Sequence, residues 1–166
     1  MKILNGILLM SPLVLWIIVR CVASLNFSVD CGGHIKRAAD ANTIELAAQE
    51  LRTVITYCDE HKLTSGVVSI IIKQPKNDVG FWYTNLKASL TELDKVTETT
   101  SQLEKTNILI KLRETLVDHG QSGMSITVPD GITIYPHNVM YFWWAVIGTL
   151  LACVGAGLVY QHLSEW

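Results

Sequence analysis

Two apolar segments, Ile3–Val19 and Val139–Tyr160, stand at the ends of this chain, and nearly every charge lies between them. Of the 13 lysines and arginines only Lys2 falls outside Arg20–Asn138, and of the 15 acidic residues only Glu165 does. A chain of 166 residues has too little interior to hide two such runs on all sides. The layout therefore predicts a water-soluble middle tied to a membrane at both ends, with lipid as the first partner.

The second segment runs 22 residues without a charge. At about 1.5 Å per residue it is long enough for a hydrocarbon core of about 30 Å. Tyr141, Phe142, Trp143 and Trp144 mark its entry and Tyr160 its exit, with Trp166 just beyond. Aromatic rings with a polar edge favour the headgroup level, so these are the expected interface aromatics. Gly148, Ala152 and Ala156 repeat at intervals of four, and Thr149, Cys153 and Gly157 form an adjacent row. Small residues at that spacing let helix backbones approach closely, so both rows are candidates for helix packing, against the first segment or another subunit.

The first segment has 17 uncharged residues between Lys2 and Arg20. A cleaved signal peptide ending near Cys21-Val22-Ala23 is the competing reading. The apolar run exceeds the usual signal core and Arg20 sits where a cleavage site is neutral, which favours an uncleaved signal-anchor. Pro12 within it frees a backbone carbonyl that a hydroxyl or a neighbouring helix must satisfy, and Ser11 precedes it. Asn5 and Gly6 are expected to face the second helix. The resulting division is an anchor at 1–20, a soluble domain at 21–138, a second span at 139–160 and a tail at 161–166. Lys2 and the amino terminus favour a cytoplasmic start, against Arg20, Lys36 and Arg37. The expected location is a bacterial inner (plasma) membrane with the middle domain on the non-cytoplasmic side. Cys31 and Cys58 can bridge in an oxidising compartment, while free thiols in a reducing one fit equally.

Three helices are predicted in the middle, giving a mainly α fold with minor β elements. The first spans about Asn42 to His61, with Asn42 and Glu45 as a capping box and a stripe of Ile44, Ala47, Ala48, Leu51, Val54, Ile55 and Cys58. Ala38, Ala39 and Ala41 extend it upstream. The second spans about Asp78 to Val96, capped by Asp78, with Val79, Trp82, Leu86, Leu90 and Leu93 on one face. The third spans about Ser101 to His119, with a Ser101/Glu104 capping box and Gly120 at its end. Its two apolar faces, Leu109, Leu112 and Leu116 beside Leu103, Ile110 and Val117, mark it as the central helix. Val67–Ile72 reads as a short strand, and Ser125–Val128 with Ile132–Tyr135 reads as a hairpin around Pro129-Asp130-Gly131.

Chemistry is sparse. None of the five histidines shares a helical face with another. Cys31-Gly-Gly-His34 supplies two metal ligands where three or four are needed, so Gly32 and Gly33 read as a tight turn. Cys58-Asp59-Glu60-His61 reads as the solvated end of a helix. No glycine-rich phosphate loop and no basic patch is present, which points away from nucleotide and nucleic-acid binding. Neither apolar segment carries an ionisable group, which points away from a transporter acting alone. Trp82 in Gly80-Phe81-Trp82-Tyr83 reads as core. No catalytic, cofactor or metal residue is expected. The expected function is a non-catalytic assembly or accessory subunit, a homo-oligomer or part of a larger membrane complex. The alternatives are a ligand-binding or sensory module that signals through a partner, since only Gln161–Trp166 follow the second span, and a membrane enzyme.

Overall fold

A computed structural model describes residues 2–120 and 123–164, with backbone alone at 2, 119–120 and 123–124. Trp166 lies outside the described residues. Helix α1 (Lys2–Phe27) runs through a π-helical turn (Ser28–Gly32) into α2 (Gly33–Asp40). There follow α3 (Ile44–Glu60), α4 (Val79–Asp94), α5 (Gln102–Leu116), strands β1 (Val117–Gly120) and β2 (Gly123–Ile126), and α6 (Asn138–Ser164). The chain is thus mostly helical with one two-stranded sheet, and two of its helices are long and apolar enough to cross a membrane. It divides into two compact units, Met1–Ser24 with His137–Trp166, and Leu25–Pro136.

In the second unit α3 is the central element, packed by α2, α4 and α5. Its stripe of Ile44, Ala47, Ala48, Leu51, Val54 and Cys58 is buried, and Ile55 packs at its margin. α4 adds Val79, Trp82, Leu86 and Leu93, and α5 adds Leu112 and Leu116. α5 is not the central helix that its two apolar faces predicted, because Leu103 is 72% and Ile110 52% exposed. Its place is taken from the other side. α2 supplies Ile35, Ala38 and Ala39, and the alanines on α2 and α3 allow the two backbones to lie close.

That α2 is a separate helix corrects the upstream extension of α3. Ala41 is extended, and Thr43, not Asn42, caps α3 by accepting from the Leu46 amide at 3.3 Å. Gly32 and Gly33 are helical rather than a tight turn, since the Gly33 amide reaches the Ser28 carbonyl in the wider π pattern. The other caps are as predicted: Asp78 accepts from the Phe81 amide at 2.9 Å and Ser101 from the Glu104 amide at 3.2 Å. Thr43→Ala should cost about 1 kcal/mol, the usual price of a lost N-cap. Asn42→Ala should stay within about 0.5 kcal/mol, as for an ordinary surface change. Thermal melting of the two variants checks the pair.

The β elements differ most from expectation. Val67–Ile72 is not a strand; among the described residues it makes a single bridge, Val67 to Asp78. The hairpin pairs β2 with β1 in antiparallel register, Val117 opposite Ile126 and Asp118 opposite Ser125. Residues 117–120, predicted as the end of the third helix, are therefore strand, and Gly120 is not a helix cap. Ile132–Ile134 forms a 3-10 turn instead of a return strand. Gly131 does take the left-handed conformation its position in the turn asks for, with φ of 84°.

Candidate functional site

Within the first unit α1 and α6 lie antiparallel, and glycine decides how close they come. A Cβ on Gly155 would stand 2.5 Å from the Gly6 carbonyl oxygen, and one on Gly6 would stand 2.7 Å from that of Gly155. Further along, a Cβ on Gly148 would stand 3.4 Å from the Leu13 backbone. The approach at Gly6 and Gly155 is available only to residues without a side chain, whereas the spacing at Gly148 is ordinary van der Waals contact. Gly148 is buried in the pair and Ala152 is half-buried, whereas Thr149, Cys153, Ala156 and Gly157 are exposed. Of the two α1 residues expected to face α6, Gly6 is buried against it, whereas Asn5 is exposed. Gly155 was not singled out in the sequence. Its signal was the seven-residue step from Gly148, which keeps both on one seam of two closely aligned helices.

At the other end of the pair two indoles brace the helices reciprocally. Trp16 on α1 donates through Nε1 to the Tyr141 carbonyl at 2.9 Å, and Trp144 on α6 donates to the Pro12 carbonyl at 3.1 Å. Pro12 has no amide to offer the Leu8 carbonyl, and the Ser11 hydroxyl donates to it at 2.8 Å. Among the aromatics, Tyr141 stacks with Trp144, Phe142 meets Trp143 edge-on, and Trp143 and Tyr160 face outward. The outer surface of the pair is apolar: Leu4, Leu8, Leu150 and Val154 are all more than half exposed.

In the second unit the titratable groups gather where α2 crosses α3. Glu50 is buried, with Oε2 2.6 Å from His34 Nδ1 and Oε1 2.5 Å from Arg37 Nη2. Both carboxylate oxygens are engaged, so a buried charge keeps its partners and α2 is fastened to α3. Cys31 and Cys58 are fully buried and both are free thiols. They meet side chain to side chain, and this contact together with burial pushes the Cys58 thiol far above the usual range. A thiol held protonated in this way is a poor nucleophile. At the end of α3, Tyr83 donates to Asp59 at 2.5 Å, and that bond pushes its phenol up to about 12. His61 stacks on Tyr57, so Cys58 and His61 point to different surroundings. Among the described residues no three His, Cys, Asp or Glu side chains converge as metal ligands.

A groove of about 650 Å³ opens between the start of α4 and the β2 segment. Phe81 and Trp82 form its apolar wall, and Asn85, Asp118 and the Lys76–Asp130 pair stand around it. Trp82 is buried and donates to the Thr127 carbonyl at 2.9 Å, whereas Phe81 is 66% exposed. No family model, curated protein or solved structure matches this chain.

Proposed function

We propose that the chain is a two-span membrane protein, with α1 and α6 as its spans, that works without catalysis as an assembly or accessory subunit. The observation that carries this reading is the outer surface of the α1–α6 pair. Only 6% of the apolar window of α1 and 17% of that of α6 is buried, which supports membrane spans over core helices of a soluble domain. Pairing uses the Gly6, Gly148 and Gly155 seam and leaves the row of Thr149, Cys153 and Gly157 free for a like chain or a larger complex. In the domain, Leu103 and Ile110 lie seven residues apart on one face of α5 and are exposed, which offers a second contact surface. On this reading the domain stands on the non-cytoplasmic side of a bacterial inner membrane.

A second reading, a ligand-binding module that signals through a partner, draws on the groove beside Trp82. The subunit reading is tested by extracting the full chain from membranes in mild detergent and weighing the particle by native mass spectrometry. Multiples of the chain mass, or a constant companion chain, are expected. A strictly monomeric particle without a companion sinks the proposal.

A further inference from the structure

The segment from His61 to Asn77 carries Lys62, Lys73 and Lys76 and no acidic residue. Its base is firmly held. Leu63 and Val68 are buried, the Val68 amide donates to the Asn77 carbonyl at 3.0 Å, and the Val79 amide donates to the Gly66 carbonyl at 2.9 Å. Asn77 locks the base from inside, donating to the Ser69 hydroxyl at 2.6 Å and accepting from the Asp130 amide at 3.3 Å. Beyond this base the tip is bare. Ile70, Ile71 and Ile72 are 40%, 77% and 68% exposed, and Lys73 follows them outward. Three consecutive β-branched apolar residues held in water on an anchored loop carry a cost, and such exposure marks a contact surface.

The loop also has a defined place in the domain. The Tyr135 hydroxyl donates to the Ser65 carbonyl at 2.6 Å, at the root of the loop. Phe27 packs edge-on against Tyr57, and Tyr57 stacks on His61, where the segment begins. Residues 27 and 135 are close to the two limits of this unit; Tyr135 touches the loop root directly and Phe27 reaches it through Tyr57. Leu25 and Val29, near the first of those ends, are 64% and 70% exposed. Beyond each end the sequence runs into an apolar helix.

We propose that the Ile70–Ile72 tip inserts into the lipid surface, with Lys73 meeting anionic headgroups. The proposal rests on the membrane reading above. Lipid fits better than a protein partner. The tip is three side chains wide, far short of a protein interface, and the adjoining exposed Lys73 matches an anionic surface, whereas Lys76 is paired with Asp130.

The test uses the full chain in vesicles of phosphatidylethanolamine and phosphatidylglycerol, with Cys21→Ser and Cys153→Ser so that only an introduced thiol takes an environment-sensitive dye. Dye is placed through Ile71→Cys, through Leu103→Cys on α5, or through Leu150→Cys on α6. The dye at 71 should emit further to the blue than that at 103, and nitroxide lipids should quench it severalfold more. Ile70→Asp with Ile72→Asp should abolish that difference, and vesicles of phosphatidylcholine alone should weaken it. If the dye at 150 is quenched by lipid while that at 71 behaves like that at 103, the proposal falls and the membrane reading stands. If the dye at 150 also escapes lipid quenching, the membrane reading falls and the proposal with it.

Discussion

Gly155→Leu should break the α1–α6 pair, while Gly157→Leu, two residues on, should leave it intact. At position 155 an added Cβ alone meets the Gly6 carbonyl at 2.5 Å and the Leu9 and Met10 side chains at 3.1 Å. The first of these neighbours is backbone and cannot rotate away, so relief requires the helices to separate. The cost should lie at or above the upper part of the over-packing range, roughly 3 kcal/mol. At position 157 an added Cβ finds nothing within 4 Å. Spin labels introduced at Leu4 and Tyr160, both exposed, with Cys21 and Cys153 replaced by serine, read the separation directly. A lengthened or broadened distance for Gly155→Leu and an unchanged one for Gly157→Leu are expected. An unchanged distance for Gly155→Leu would show that this glycine contact does not hold the pair. The same two variants separate pairing from assembly, because Gly157→Leu should still reduce the mass of the native particle if the outer row meets another chain.

The small-residue rows of α6 show where the sequence stopped being legible. Helical spacing identified a face of glycine, alanine, threonine and cysteine, but residues 148–157 are small on several neighbouring rows at once. Choosing between Ala156 and Gly155 requires the partner backbone, and that is a fact about α1. The domain repeats the lesson. The stripe of α3 from Ile44 to Cys58 was readable because burial on one side imposes a period near 3.6, and Asp78 and Ser101 were readable because a cap is a local bond. The strands were not. Val67–Ile72 has strand composition but makes only one bridge among the described residues, and Val117 follows a helical pattern yet pairs with Ile126 nine residues away. β-propensity describes a residue that fits a sheet, and the sheet itself is a non-local event. The polar cluster was missed for a related reason. Glu50 sits among apolar stripe residues of α3, and only the crossing of α2 brings His34 and Arg37 to it.

Trp82 and Phe81, adjacent in sequence, should differ sharply when truncated. Trp82 is 7% exposed, packs with the core, and ties α4 to the segment after β2 through its bond to the Thr127 carbonyl. Trp82→Ala removes the largest side chain of the core and leaves that carbonyl without its donor, so about 3–5 kcal/mol should be lost. A loss of that size approaches the whole stability of a small domain. Trp82→Phe keeps most of the ring and loses the bond to an acceptor on an exposed residue, and it should cost about 0.5–1.5 kcal/mol, the usual net contribution of one hydrogen bond. Phe81 is 66% exposed, and Phe81→Ala should stay within about 0.5 kcal/mol. Thermal melting of the full chain in detergent, followed by near-ultraviolet circular dichroism, gives the order Trp82→Ala, Trp82→Phe, Phe81→Ala from most to least damaging. Equal losses for Phe81→Ala and Trp82→Ala would mean that the exposed wall of the groove is covered in the intact protein. The core assignment of Trp82 alone would then no longer explain the cluster.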